Sequence, residues 1–180
     1  MLAKIRSIAD TLAPRLIEIR RHLHAHPELS GQEHQTAAYI AGVLSAAGLR
    51  TQEAVGKTGV VGELAGAGTD PRLLAIRTDM DALPIVERTG LAFSSRNEGI
   101  MHACGHDVHT TVGLGTAMIL AQLGEELPGN MRFIFQPAEE IAQGATWMVA
   151  DGVMQSVNSI FSLHVFPSIL AGSIGLGMVH

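Results

Sequence analysis

The sequence predicts an α/β fold, with at least four strands and helices on the sheet faces. Two observations predict it. Helical and extended hydrophobic patterns alternate along the chain, and a central strand candidate, Leu73 to Arg77, is nearly continuous in apolar character, as expected of a strand buried on both faces. No internal repeat or low-complexity linker interrupts the alternation.

Taken in order, Ile5, Ile8 and Leu12, then Leu16, Ile19 and Leu23, recur at helical spacing. Pro14 interrupts the series and is expected to reset a first helical region that runs to about His26-Pro27. Ser30 followed by Glu33 has the form of a capping box; Ala37, Ile40, Ala41 and Leu44 then supply an apolar face, and Gly48 closes this second helix. Strands are predicted at Gly59 to Leu64 and at Leu73 to Arg77, the latter running into Thr78-Asp79-Met80-Asp81-Ala82-Leu83-Pro84. Asp107 or a polar neighbour is expected to cap a helix through Gly113, Met118 and Leu123. Pro128-Gly129-Asn130 turns the chain into a strand from Met131 to Phe135. A helix near Gly144 to Ala150 and a strand from Ser159 to Val165 complete the pattern.

With 180 residues, 47% of them hydrophobic, the chain can bury a core of its own, and its length suits one domain. A net charge of -5 gives no electrostatic reason to expect nucleic acid or an anionic membrane as partner, so a small-molecule substrate is expected. The single cysteine excludes an internal disulfide. Charges interleave Met1 to Arg6 where a secretory signal needs an apolar run, and no stretch approaches the roughly 18 apolar residues of a membrane helix. A cytoplasmic location is expected.

The stretch Met101-His102-Ala103-Cys104-Gly105-His106-Asp107-Val108-His109 sets the only cysteine two residues from a histidine among carboxylates, a donor set suited to a transition metal. Asp79, the Cys104/His106 pair, Glu139/Glu140 and His164 all fall at or just beyond predicted strand C-termini, where open α/β sheets build their sites. On an extended segment Cys104 and His106 would face one metal or straddle two. The adjacent Glu139 and Glu140 should point apart, one as ligand and the other as base. Plainer readings stand beside these: a small core cysteine, a strand-end His164, and a glutamate pair in the first turn of a helix. His22, His24 and His26 alternate on a helix and share no face, which gives them a mainly structural or substrate-edge role. Asp107 reads as a cap or a partner behind a ligand, His109 as such a partner or as structure, and His102 stays unassigned.

The strings Arg77 to Pro84, MHACGHDxH, FQPAEE followed by Gly144-Ala145, and LHV, with the opening Arg20 to Leu29, resemble the M20 metallopeptidase family. More narrowly they resemble its amidohydrolase branch, which includes hippurate hydrolases, N-acyl-amino-acid amidohydrolases and hydrolases of auxin conjugates. The resemblance implies a mixed, largely parallel sheet flanked by helices, as in zinc exopeptidases. It implies hydrolysis of the amide bond of an N-acyl amino acid or related conjugate, with up to two divalent ions, zinc, manganese, cobalt or nickel. By motif position Cys104, His106, Glu140 and His164 would be ligands, Glu139 the general base, and Asp79 a catalytic residue that orients a ligand. Many M20 relatives carry histidine where this chain has Arg77, so position 77 is not assigned to the metal.

Family members run to about twice this length, with a lid or dimerisation domain inserted after the segment resembling Ala171 to Gly177. Residues 1–180 are thus expected to be the N-terminal part of a catalytic domain, with no second domain and without the last ligand histidine, for which His180 is no substitute. The alternative expectation is a truncated metal-binding fragment without independent activity. Either way, an open sheet edge predicts self-association.

Overall fold

In the computed structural model, which describes residues 1–176, helices α1 (Leu2–Ala25) and α2 (His34–Ala46) precede strands β1 (Arg50–Val55), β2 (Gly59–Leu64) and β3 (Leu73–Asp79). A long segment leads to α3 (His106–Ala121), and β4 (Asn130–Gln136), α4 (Gly144–Ala150) and β5 (Val157–Ser162) follow. The strands form one mixed sheet in the order β1-β2-β4-β3-β5. β3 runs parallel to both its neighbours, whereas β2 is antiparallel to β1 and β4, so β2 alone opposes the other four. His180 and the end of the 171–177 segment lie outside the described residues.

Period-two alternation divides the core between the two sheet faces. Val60, Met131, Phe133 and Phe135 meet Ile40 and Leu44 of α2 and Leu114 and Ala117 of α3. Their strand neighbours Val61 and Ile134, with Ala75, turn to the other face, where Met148 of α4 and Val153 cover them. α1 adds an outer layer: Ile19 and Leu23 join the first cluster, and Gly115 of α3 leaves room for the Leu16 side chain.

Several local expectations change. α1 continues through Pro14 without a break. The proline removes one N–H, but Asp10 and Pro14 both lie on the exposed part of the helix, where water can serve the freed carbonyl. The capping box does not form. Glu28 caps α2 instead, accepting from the backbone N–H groups of Gln35 (3.1 Å) and Thr36 (2.8 Å), while Ser30 and Glu33 bond elsewhere. Asp107 does not cap α3, whose N-cap is Gly105 in the left-handed region (φ 89°). β1 has no counterpart among the predicted strands, because an edge strand reading Arg-Thr-Gln-Glu-Ala-Val carries almost no apolar alternation. β5 ends at Ser162, which leaves Leu163 to Val165 beyond the sheet. Among the described residues, no helix is long and apolar enough to cross a membrane.

Candidate metal centre

Three parallel strands deliver their C-termini to one edge, with Asp79 of β3 level with Gln136 of β4 and Arg77 level with Ser162 of β5. The chain leaving β4 carries Glu139 and Glu140, that leaving β5 carries His164, and the N-terminus of α3 brings Cys104 and His106. The fully buried His106 is the hub. Its Nδ1 donates to the Asp81 carbonyl (2.9 Å), and its Nε2 lies 3.7 Å from Asp79 Oδ1, 3.7 Å from Glu140 Oε1 and 3.8 Å from Glu139 Oε2. Cys104 Sγ is 3.5 Å from His164 Nε2. Among the described residues, three sets of donors each have their ligand atoms within 4.8 Å of one another: Cys104/His106/His164, His106/Glu139/Glu140 and Asp79/His106/His109.

Two of these atoms, His106 Nε2 and Glu140 Oε1, are buried with no hydrogen-bond partner. Buried polar atoms are normally paired, and unpaired imidazole and carboxylate donors beside a thiol fit a divalent transition metal. Burial pushes the Cys104 thiol up to about 11, helped by the charges of Glu140, Glu139 and Asp79. Burial works against the charged form of His106, yet the Asp81 bond and the surrounding carboxylates raise its pKa above the ordinary value. Burial likewise opposes ionisation of Asp81, but bonds from His106, Ser30 and the backbone of Glu140 and Glu139 hold its carboxyl down at about 2. The site thus gathers negative charge around His106, a field that favours a bound cation.

A model described as Peptidase family M20/M25/M40 matches residues 75–179, more than half of the chain. The chain belongs to this family. It is 68% identical over 173 residues to a probable hydrolase of Synechocystis, a match covering 96% of this chain and 44% of that protein. It is 46% identical over 167 residues to N-acetyl-L-cysteine deacetylase of Bacillus subtilis, covering 93% and 40% respectively. A crystal structure from Bacillus subtilis, described as a dinuclear metal binding peptidase from the M20 family, superposes with a TM-score of 0.89 at 47% identity, covering 93% of this chain and 47% of that one. This M20/M25/M40 chain spans less than half the length of these relatives.

Within this candidate site, the sequence motifs lead to residues that meet in space, though not in the expected local geometry. Gly105 breaks the extended path between Cys104 and His106, so their approach depends on a left-handed turn and not on strand alternation. Glu139 and Glu140 precede α4 by several residues, in a turn begun by Ala138 (φ 49°), so they are not first-turn helix carboxylates. Both reach towards His106 instead of pointing apart, with Glu139 the more open, its side chain 40% exposed against 20% for Glu140. His22 stacks on Tyr39, His26 Nδ1 donates to the His22 carbonyl, and both ring nitrogens of His24 face carboxylates, of Asp107 and Glu87; none of the three joins the cluster.

Two residues of this M20 chain escaped the sequence reading. Asp81 accepts from Ser30 Oγ (2.6 Å) and from the Glu140 backbone (3.0 Å), while its carbonyl fixes His106, so it aims two candidate ligands at once. The repeat Asp79-Met80-Asp81 held that signal, since alternate residues share a side. Glu33 is fully buried and accepts from the Ala138 backbone (2.8 Å), the residue before the glutamate pair. Its sequence signature is indistinguishable from a cap.

Proposed function

We propose that this chain is the N-terminal part of a catalytic domain that hydrolyses the amide bond of an N-acyl amino acid. The observation that carries the reading is the convergence of Cys104, His106, Glu140 and His164 at one sheet edge, with two buried donor atoms left unpaired. Those four residues would hold up to two divalent ions, of zinc, manganese, cobalt or nickel. When bound, the ions polarise the scissile carbonyl and lower the pKa of the attacking water. Glu139, the more open carboxylate, takes the proton from that water and returns it to the leaving amine. Asp79, buried between Arg77 and His109, keeps its charge and orients the imidazoles beside it. The similarity to a deacetylase of N-acetyl-L-cysteine supports an N-acyl amino acid as the substrate class. A single thiol used as a ligand suits a reducing, cytoplasmic setting.

The chain's share of its relatives favours a second reading alongside the first: turnover needs donors supplied by further polypeptide, and these 180 residues bind metal without it. A panel of N-acyl amino acids, with manganese or zinc added, tests both. Hydrolysis that Glu139→Gln abolishes while metal uptake persists supports the first reading, and uptake without turnover supports the second. Failure to bind any divalent ion overturns both.

A further inference from the structure

His109 is the most fully engaged histidine near the site, and the mechanism above gives it no task beyond its contact with Asp79. It is completely buried, and both ring nitrogens are committed. Nδ1 donates to Asp79 Oδ1 at 2.6 Å. The other oxygen, Oδ2, accepts from the Arg77 guanidinium at 2.8 Å, and Arg77 Nε in turn donates to Gln136 Oε1 at 2.9 Å. With the proton on Nδ1, Nε2 is an acceptor, and the backbone N–H of Val165 donates to it at 2.9 Å.

Val165 is the link to the candidate ligand. Its carbonyl accepts from Nδ1 of His164 at 2.6 Å, which fixes the tautomer and leaves His164 Nε2 free, 3.5 Å from Cys104 Sγ. This stretch lies beyond the last residue of β5, so the sheet ladder does not hold it. Gly105 completes the seat, since a Cβ at that position would overlap the Val165 side chain. The ring of His109 also packs edge-on against that of His164, with centroids 4.4 Å apart.

We infer that His109 is a positioning residue: backed by Asp79 and Arg77, it holds the Val165 peptide so that His164 presents Nε2 beside Cys104. The inference rests on the metal-centre reading and adds to it the device that places one ligand. It also gives Arg77 a task, that of anchoring Asp79 from the side opposite His109. Groups behind a ligand typically change metal affinity 10–100-fold when removed.

The test is cobalt titration of the full 180-residue chain, followed by the thiolate-to-cobalt charge-transfer absorption, a readout independent of turnover. His109→Asn retains a donor near Asp79 but withdraws the acceptor from Val165; His109→Gln puts an amide oxygen near the position of Nε2. His109→Asn should weaken cobalt binding by about 10–100-fold and diminish the charge-transfer band, and His109→Gln should recover most of both. An ester in place of the peptide bond between His164 and Val165 removes the N–H while keeping every side chain and should reproduce the His109→Asn result, deciding the matter if His109→Asn does not fold. Wild-type affinity and spectrum in the ester variant would overturn the positioning role while leaving the metal centre standing. A wild-type chain that gives no thiolate band would overturn the metal-centre reading itself, and this inference with it.

Discussion

A buried glutamate surrounded by donors is a costly arrangement unless every donor is answered, and Glu33 answers three. Oε1 accepts from the backbone of Gly31 (2.9 Å) and Ala138 (2.8 Å), and Oε2 from Thr58 Oγ1 (2.6 Å). Glu33→Ala would strand these donors out of water, at about 1–3 kcal/mol each, so a total loss of about 3 kcal/mol or more is expected in urea unfolding. Glu33→Gln keeps an oxygen for the two amides and should cost less than half as much. Equal losses in the two variants would show that packing and not hydrogen bonding is what Glu33 supplies. At this scale the sequence is uneven as a guide. Cys104, His106, Glu140 and His164 stand out because metal-type donors fall just after apolar runs, and the structure brings them together. Asp81 and Glu33 do not, because their partners are backbone amides and hydroxyls remote in sequence, and no residue pattern announces such partners.

Among the elements, β1, β2 and β4 are tied by one carboxylate. Glu63 of β2 lies opposite Arg50 of β1 and Arg132 of β4, and both guanidinium groups bond to it, Arg132 Nη2 at 2.6 Å. Partial burial opposes its ionisation, but the bonds and charges of Arg132 and Arg50 hold its pKa below the ordinary value of 4.5. A carboxyl lowered on folding stabilises the protein fully above its unfolded pKa, and the contribution disappears as the pH falls through the folded one. Glu63→Gln should therefore cost about 0.5–1 kcal/mol near neutrality and flatten the loss of stability as the pH falls below the ordinary carboxyl value of 4.5. Parallel urea midpoints at several pH values check it; identical acid limbs in the two proteins would contradict the linkage. The same strands show what hydrophobic pattern can reveal. Both β2 and β4 sit where their apolar residues predict, whereas β1 holds its place through pairing with β2 and went unseen. Pro14 misled for the opposite reason: a local rule yields when the affected turn faces solvent.

For the molecule as a whole, the sheet ends in a polar edge strand, β1, on one side and a more apolar one, β5, on the other. Among the described residues β5 pairs with β3 alone, and Ile160 and Phe161 on it are 46% and 62% exposed. An apolar edge of this kind invites another strand, so the 180-residue chain should sediment as a concentration-dependent mixture of monomer and larger species. Phe161→Lys should shift it towards monomer; a wild-type chain that stays monomeric throughout would remove the edge from consideration. The strand order carries one more consequence. β5 follows β3 at a distance in sequence yet lies beside it, and Cys104 and His164 meet although 60 residues separate them. At about 5–20 residues per second, a ribosome needs roughly 3–12 s to travel from one to the other. During that interval the nascent thiol lacks the imidazole of His164 and stands open to oxidants and stray soft ions, so the hazard to Cys104 is greatest before His164 has been added.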